Sequence, residues 1–275
     1  MRNHYLIADH IVRVGDDTLS DLLTGFECDS ECKSTPDPCG QESICSITRT
    51  ATPPSHGVET VDHDFPVSHV LTLTRESSAV LVADDTFERI SVRARQKEGL
   101  SDLLLLAIYS RLTYFQTIFV HGALVDVPGY GGIMFTGRSN VGKTTQAILW
   151  ERYEGAEIIN GDKVFLSVKP EYPNEIFAYG SPWRGSSPYC VNKRIRLRAI
   201  IDLVREEEKY MRPLNDLEAL VSYMPSVFMP NWDVRLTEKV METVDLMLPR
   251  VPIYQMSCDK DQSAVDMVKA VLFPG

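Results

Sequence analysis

The stretch Gly137-Arg138-Ser139-Asn140-Val141-Gly142-Lys143-Thr144 constrains this chain more than any other. It fits G-x-x-x-x-G-K-[ST], and each fixed position has a physical reason. Glycine at both ends lets the backbone turn tightly and bring its N–H groups close to a phosphate with no Cβ in the way. Those N–H groups form an anion-binding concavity, and a following helix adds the positive end of its dipole. In this pattern Lys143 would reach the β/γ-phosphates and the Thr144 hydroxyl would ligate Mg²⁺. The bare pattern turns up by chance in roughly one chain in a hundred of this length, so its surroundings decide. The apolar run 132–136 reads as a strand, and Thr145 to Glu151 has good helix formers and an apolar face. The plain alternative is a glycine turn between a strand and a helix. The candidate nucleotide-binding residues are Gly137, Ser139, Asn140, Val141, Gly142, Lys143, Thr144 and Thr145.

With 275 residues the chain holds one large domain or two modest ones. Its net charge of −10 argues against nucleic acid or an anionic membrane as a general partner. A nucleotide remains compatible, because the loop makes a local positive site. The longest apolar run, Leu103 to Tyr109, is too short to span a bilayer. Met1-Arg2-Asn3-His4 leads into polar sequence with no apolar core of a signal peptide, so a cytoplasmic location is expected. Of six cysteines, Cys28, Cys32, Cys39 and Cys45 crowd together. In a reducing compartment free thiols are the default. Zinc is the alternative, against which stands the C-x₃-C spacing of the first pair.

In chain order, residues 4–14 read as one strand and 27–66 as an irregular Cys/Pro-rich segment. Val67–Arg75, Ser78–Ala83 and Glu88–Arg95 read as an antiparallel meander. Glu98 to Gln116 reads as a helix from its i, i+3, i+4 leucines. Thr117 to Val127 reads as a β stretch before the loop strand. After the loop helix come strands over Ala156–Asn160, Lys163–Val168, Glu175–Tyr179, Arg196–Val204 and Pro252–Ser257. Helices are expected over Asp216–Met224, Leu236–Leu248 and Ser263–Leu272. Arg194, Arg196 and Arg198 alternate with apolar residues, which puts them on one strand face. A solvated sheet surface is the default for that stripe, and contact with a phosphate or acidic peptide the alternative.

From Thr117 on, the chain resembles the HPr kinase and phosphoenolpyruvate carboxykinase-like superfamily. The resemblance is carried by segments in fixed order: Val120-His121-Gly122-Ala123-Leu124-Val125-Asp126, the glycine-rich loop, Ile158-Ile159-Asn160-Gly161-Asp162-Lys163, Gly180-Ser181-Pro182-Trp183-Arg184-Gly185, and Asn192 through Ile200. It implies an α/β fold: a P-loop core with a mixed sheet in residues 116–275, preceded by a smaller β-rich domain in 1–115. Two departures stand out. The family's acidic pair appears as Gly161-Asp162, with one carboxylate missing, and the second signature of HPr kinases is not recognisable, which points away from HPr itself.

The resemblance further implies site residues. Asp162 would hold Mg²⁺ with Thr144 or take the proton from an attacking hydroxyl. His121 would sit near the transferred phosphate; without the resemblance it reads as a hydrogen-bonded core histidine. Arg184 would clamp an anionic oxygen with its planar fork, or else sit solvated in its turn. Trp183 reads as a buried anchor rather than a base-stacking ring. The catalytic set is therefore Asp162, His121, Lys143 and Arg184, with ATP and Mg²⁺ as cofactors. The expected activity is transfer of the γ-phosphoryl group to a hydroxyl, with serine of a peptide or small protein as acceptor, in the manner of relatives that act in peptide natural-product biosynthesis. Two other readings stand beside it: a nucleotide-binding module whose Gly161 marks lost chemistry, and an ordinary P-loop ATPase. Replacing Gly161 by Asp would separate the kinase from the binding module. A homo-oligomer is compatible with the sequence.

Overall fold

A computed structural model gives the protein's structure over residues 3–28, 43–50 and 63–273. The chain is an α/β protein with mixed sheets, and it divides into two compact units, Met1–Phe115 and Gln116–Gly275. Among the described residues, no helix is long and apolar enough to cross a membrane.

The first unit contains β1 (Asn3–Ile7), β2 (His10–Val14), α1 (Asp17–Asp21), β3 (Cys45–Arg49), β4 (His69–Leu73), β5 (Glu76–Ala83), β6 (Arg89–Arg93) and α2 (Lys97–Leu112). Its described strands form one sheet in the order β1-β2-β3-β6-β5-β4. Residues 4–14 are not one strand but a hairpin. Ala8 and Asp9 both take positive φ, 50° and 65°, the backbone a two-residue turn needs to match strand twist. The meander of β4, β5 and β6 is antiparallel, with one register shift between Thr72 and Leu73. The segment 27–66 is not irregular throughout. Cys45–Arg49 forms β3, which pairs with β2 and β6, both in parallel. Cys28 and Cys45 are buried, and burial pushes the Cys45 thiol up to about 12. Cys32 and Cys39 lie outside the described residues. Helix α2 ends at Leu112, short of Gln116, and buries Leu103, Leu104, Ala107, Ile108 and Leu112.

The second unit contains β7 (Thr117–His121), β8 (Ala123–Val127), β9 (Gly131–Gly137), α3 (Lys143–Glu154), β10 (Glu157–Asn160), β11 (Lys163–Val168), β12 (Ile176–Gly180), β13 (Arg194–Leu203), β14 (Tyr210–Pro213), α4 (Asp216–Tyr223), α5 (Val234–Met247), β15 (Ile253–Ser257) and α6 (Gln262–Leu272). Its sheet runs β10-β8-β9-β13-β12-β11-β7, with β15 on β13 and β14 on β15. The stretch Thr117–Val127 breaks at Gly122, because β7 pairs with β11 while β8 pairs with β9 and β10. The crossing needs a glycine: a Cβ on Gly122 would lie 2.9 Å from the Phe135 carbonyl oxygen.

Strand β13 changes character along its length. Arg194, Arg196 and Arg198 are exposed and alternate with buried Ile195, Leu197 and Ala199, and then Ile200 to Leu203 are buried without alternation. The first half pairs with antiparallel β12, and the second with parallel β15, while β9 runs parallel on the other side. Leu203 thus stands between Gly137 and Met256, and the carboxyl ends of three parallel strands finish in one row. Trp150, Phe135, Ile201, Met256 and Val265 belong to the core beneath them. Each such buried side chain contributes roughly 1.5–3 kcal/mol over leaving it exposed.

Candidate functional site

The loop between β9 and α3 owes its shape to three residues with positive φ: Gly137 at 120°, Asn140 at 62° and Gly142 at 127°. At Gly137 a side chain is excluded twice, by its φ and because a Cβ would fall 2.5 Å from the Leu203 carbonyl oxygen. Val141 packs against the core, and the Arg205 guanidinium holds the Asn140 carbonyl. Gly142 caps α3 without a capping side chain, so the orphan amides of the first turn are left for an outside acceptor. Lys143 is only 7% exposed and arches back over the loop, its Nζ donating to the carbonyls of Gly137 (3.1 Å) and Arg138 (3.2 Å). Burial lowers its pKa, against the pull of Asp162 and Asp202.

The second half of the site is the tight turn joining β10 to β11. Asn160, fully buried, accepts from the backbone N–H groups of both Asp162 and Lys163 at 2.9 Å and donates to the Ser181 carbonyl. This fixes the direction of the Asp162 side chain. Asp162 Oδ1 meets His121 Nε2 at 2.9 Å, while its backbone carbonyl accepts from Gly122 at 2.8 Å. The His121 hydrogen bond is the largest influence holding the Asp162 carboxyl below its ordinary range, with Lys163 and Lys143 adding to it. Thr144 Oγ1 donates to the Gly161 carbonyl at 3.2 Å, so the helix start and the acidic turn are tied directly.

The structure brings Lys143, Thr144, His121 and Asp162 into one neighbourhood. The Arg184 fork is engaged elsewhere: Nη1 donates to the Pro188 carbonyl of its own turn at 2.9 Å. Its neighbour Gly185 is what approaches the site, since a Cβ there would lie 2.5 Å from Asp162 Oδ2. Trp183 is buried, edge-on to Phe119 and Phe165. The arginine stripe is engaged within its own sheet region: Arg196 pairs with Glu175, Arg198 bonds the Tyr130 carbonyl, and Arg194 lies over Phe177.

Two residues escape a reading by motif. Asn160 looks like any strand-end polar residue, although its place two before Asp162 is the signature of a side chain that caps a turn. Asp202 closes the apolar run Ala199-Ile200-Ile201 and pairs across the ladder with Thr136, one residue before the loop. It is 7% exposed and accepts from Ser222 Oγ at 2.6 Å. Burial raises its pKa, and it acts on Lys143 together with Asp162. A buried acid ending an apolar strand was the available signal.

The fold and site together define an α/β protein with a glycine-rich loop between strand and helix and a histidine–carboxylate pair beside it. No family model matches the chain, and no curated protein matches it. Among solved structures it is similar to the HPr(Ser) kinase/phosphatase from Coxiella burnetii, at 11% sequence identity and a TM-score of 0.33, over 56% of this chain and 93% of that one. What the site can do follows from its own side chains.

Proposed function

We propose that the chain is an ATP-dependent phosphotransferase of the HPr-kinase-like type, moving the γ-phosphoryl group to a hydroxyl. The observation that carries this is the junction of the Lys143 loop with the His121–Asp162 pair through the Thr144 to Gly161 hydrogen bond. The loop amides and Lys143 would take the β- and γ-phosphates. Thr144 Oγ1 and the Asp162 carboxylate fit Mg²⁺, since both are hard oxygen donors and the carboxyl is held ionised. Bound there, Mg²⁺ would neutralise charge on the phosphates. A carboxylate with a lowered pKa is a better ligand than proton acceptor, so the acceptor's proton is assigned to His121. With Nε2–H donating to Asp162, the other ring nitrogen carries the lone pair that accepts it. The hydroxyl oxygen then bonds to the γ-phosphorus, the bond from that phosphorus to the bridging oxygen breaks, and ADP leaves. The acceptor we propose is a serine of a peptide or small protein.

The test is transfer of labelled γ-phosphate into a native extract separated into protein, peptide and small-molecule fractions. Label in one fraction with wild type, reduced by about 100-fold or more with Lys143→Ala, is the expected result. Nucleotide binding with no label in any fraction would instead favour a binding module. One observation supports that second reading: Ser187 occupies the space a side chain on Gly161 would need, so a second carboxylate has no room there.

A further inference from the structure

A cavity of about 390 Å³ lies beyond the shared carboxyl ends of β9, β13 and β15. In open α/β sheets the crevice past the carboxyl ends of parallel strands is where ligands sit. The volume falls in the range of small-molecule sites. Its lining starts at Val141 and Gly142 of the glycine-rich loop and continues over the segments that follow β13 and β15, with Gln146 and Cys258 below. A Cβ on Gly142 would meet nothing within 4 Å, so open space lies over the loop at this point of the lining. The cavity thus borders the loop.

Its walls are tied to each other. Ser257 Oγ donates to the Glu206 carbonyl at 3.0 Å and accepts from the Glu206 N–H at 3.3 Å. Lys209 bonds the Glu206 carbonyl at 3.2 Å and faces Asp259 at 3.6 Å. These bonds also bear on what the cavity can hold. Arg205 is engaged by Asn140 and Lys209 by Glu206 and Asp259, and Glu206, Asp259 and Lys260 share the lining. Two of its three cations are thus already paired within the protein. Gln146 is 2% exposed, its Nε2 lies 3.1 Å from Cys258 Sγ, and its buried Oε1 has no hydrogen-bond partner among the described residues. An unpaired amide oxygen suits a ligand bearing N–H donors, as nucleobases do.

We propose that this cavity seats the nucleoside end of the nucleotide whose phosphates lie on the loop. The proposal rests on the phosphate-binding reading of residues 137–144, and the test separates the two. Binding of ATP and of inorganic tripolyphosphate is measured by calorimetry on wild type, Lys143→Ala and Cys258→Trp, the last filling the cavity. Cys258→Trp is expected to weaken ATP by about tenfold or more while leaving tripolyphosphate within about twofold of wild type. Lys143→Ala weakens both. ATP bound equally by Cys258→Trp and wild type overturns the cavity alone; wild type that binds neither probe overturns the loop reading and this one with it. A measurement on wild type guards against a variant that does not fold. Alkylation of Cys258, followed by peptide mapping, is expected to slow by about fivefold or more with ATP and not with tripolyphosphate. Equal rates with and without ATP, or protection by tripolyphosphate as well, overturn the proposal.

Discussion

Two carboxylates act on the buried Lys143, and their environments push them in opposite directions. Asp162 is held below its ordinary pKa, first by His121. Its folded form therefore contributes stability above the unfolded carboxylate value, and that contribution is lost as pH falls through the lower folded value. Removing the imidazole takes away the largest influence holding Asp162 down, so the acid-side fall of Tm should flatten. His121→Ala is expected to show that flattening together with a loss in kcat of about 100-fold; a Tm curve parallel to wild type on the acid side would detach His121 from the ionisation of Asp162. Asp202 is the reverse case. Burial raises its pKa, with the Ser222 and Thr136 hydroxyls and Lys143 opposing. The unfolded chain then loses this proton first, so stability falls as pH climbs from the ordinary carboxylate range toward the folded value. Asp202→Asn should flatten the fall of Tm across that window, and a Tm curve parallel to wild type would remove Asp202 from the linkage.

Elements of this fold are joined where a side chain cannot fit, and those joints can be ranked. Gly137 and Gly129 both take positive φ, but only Gly137 faces backbone, the Leu203 carbonyl. Gly129→Ala should cost about 1–2 kcal/mol from conformation alone, and Gly137→Ala at least about 3 kcal/mol because β9 and β13 must also separate. Equal losses in thermal melts would refute the ranking. The joint between the acidic turn and the 184–188 turn revises the expectation that Gly161→Asp simply restores a carboxylate. Its Cβ would fall 2.7 Å from the Ser187 Cβ. Gly161→Asp alone is expected to destabilise, and adding Ser187→Gly to recover at least about 1 kcal/mol of the loss; no recovery in the double variant would mean that another contact blocks the site. The same joints explain what the sequence makes legible. The loop is readable because its glycines answer a backbone requirement, and β13 because its arginines alternate with apolar residues. The Ala8-Asp9 hairpin is hidden because neither residue is a glycine, although the turn demands positive φ. Strand β3 is hidden by the cysteines and prolines around it. The β7–β8 break is hidden because Gly122 sits inside an unbroken apolar run. Asn160 and Asp202 are hidden because their roles depend on partners far along the chain, Ser181 and Ser222.

For the whole molecule the question is which part of the chain the proposed chemistry requires. Every described strand of the second sheet, from β7 to β15, comes from residues after Gln116, and so do the helices α3 to α6. The core beneath the loop is drawn from Ala123 through Val268. A unit of about 160 residues is large enough to bury a core that sustains folding. The candidate site draws on β7, the loop, α3 and the β10–β11 turn, and the cavity on segments after β13 and β15, all inside that unit. The net charge of −10 adds a consequence: a polyanion gains nothing from the protein at long range, so its binding must come from local amides and Lys143. Residues 116–275 expressed alone should therefore melt in one cooperative transition and bind tripolyphosphate within about threefold of the full chain. A fragment that folds but binds the probe far more weakly would show that residues before 116 take part in the phosphate site. A fragment that does not fold would show that the second unit depends on the first for its stability.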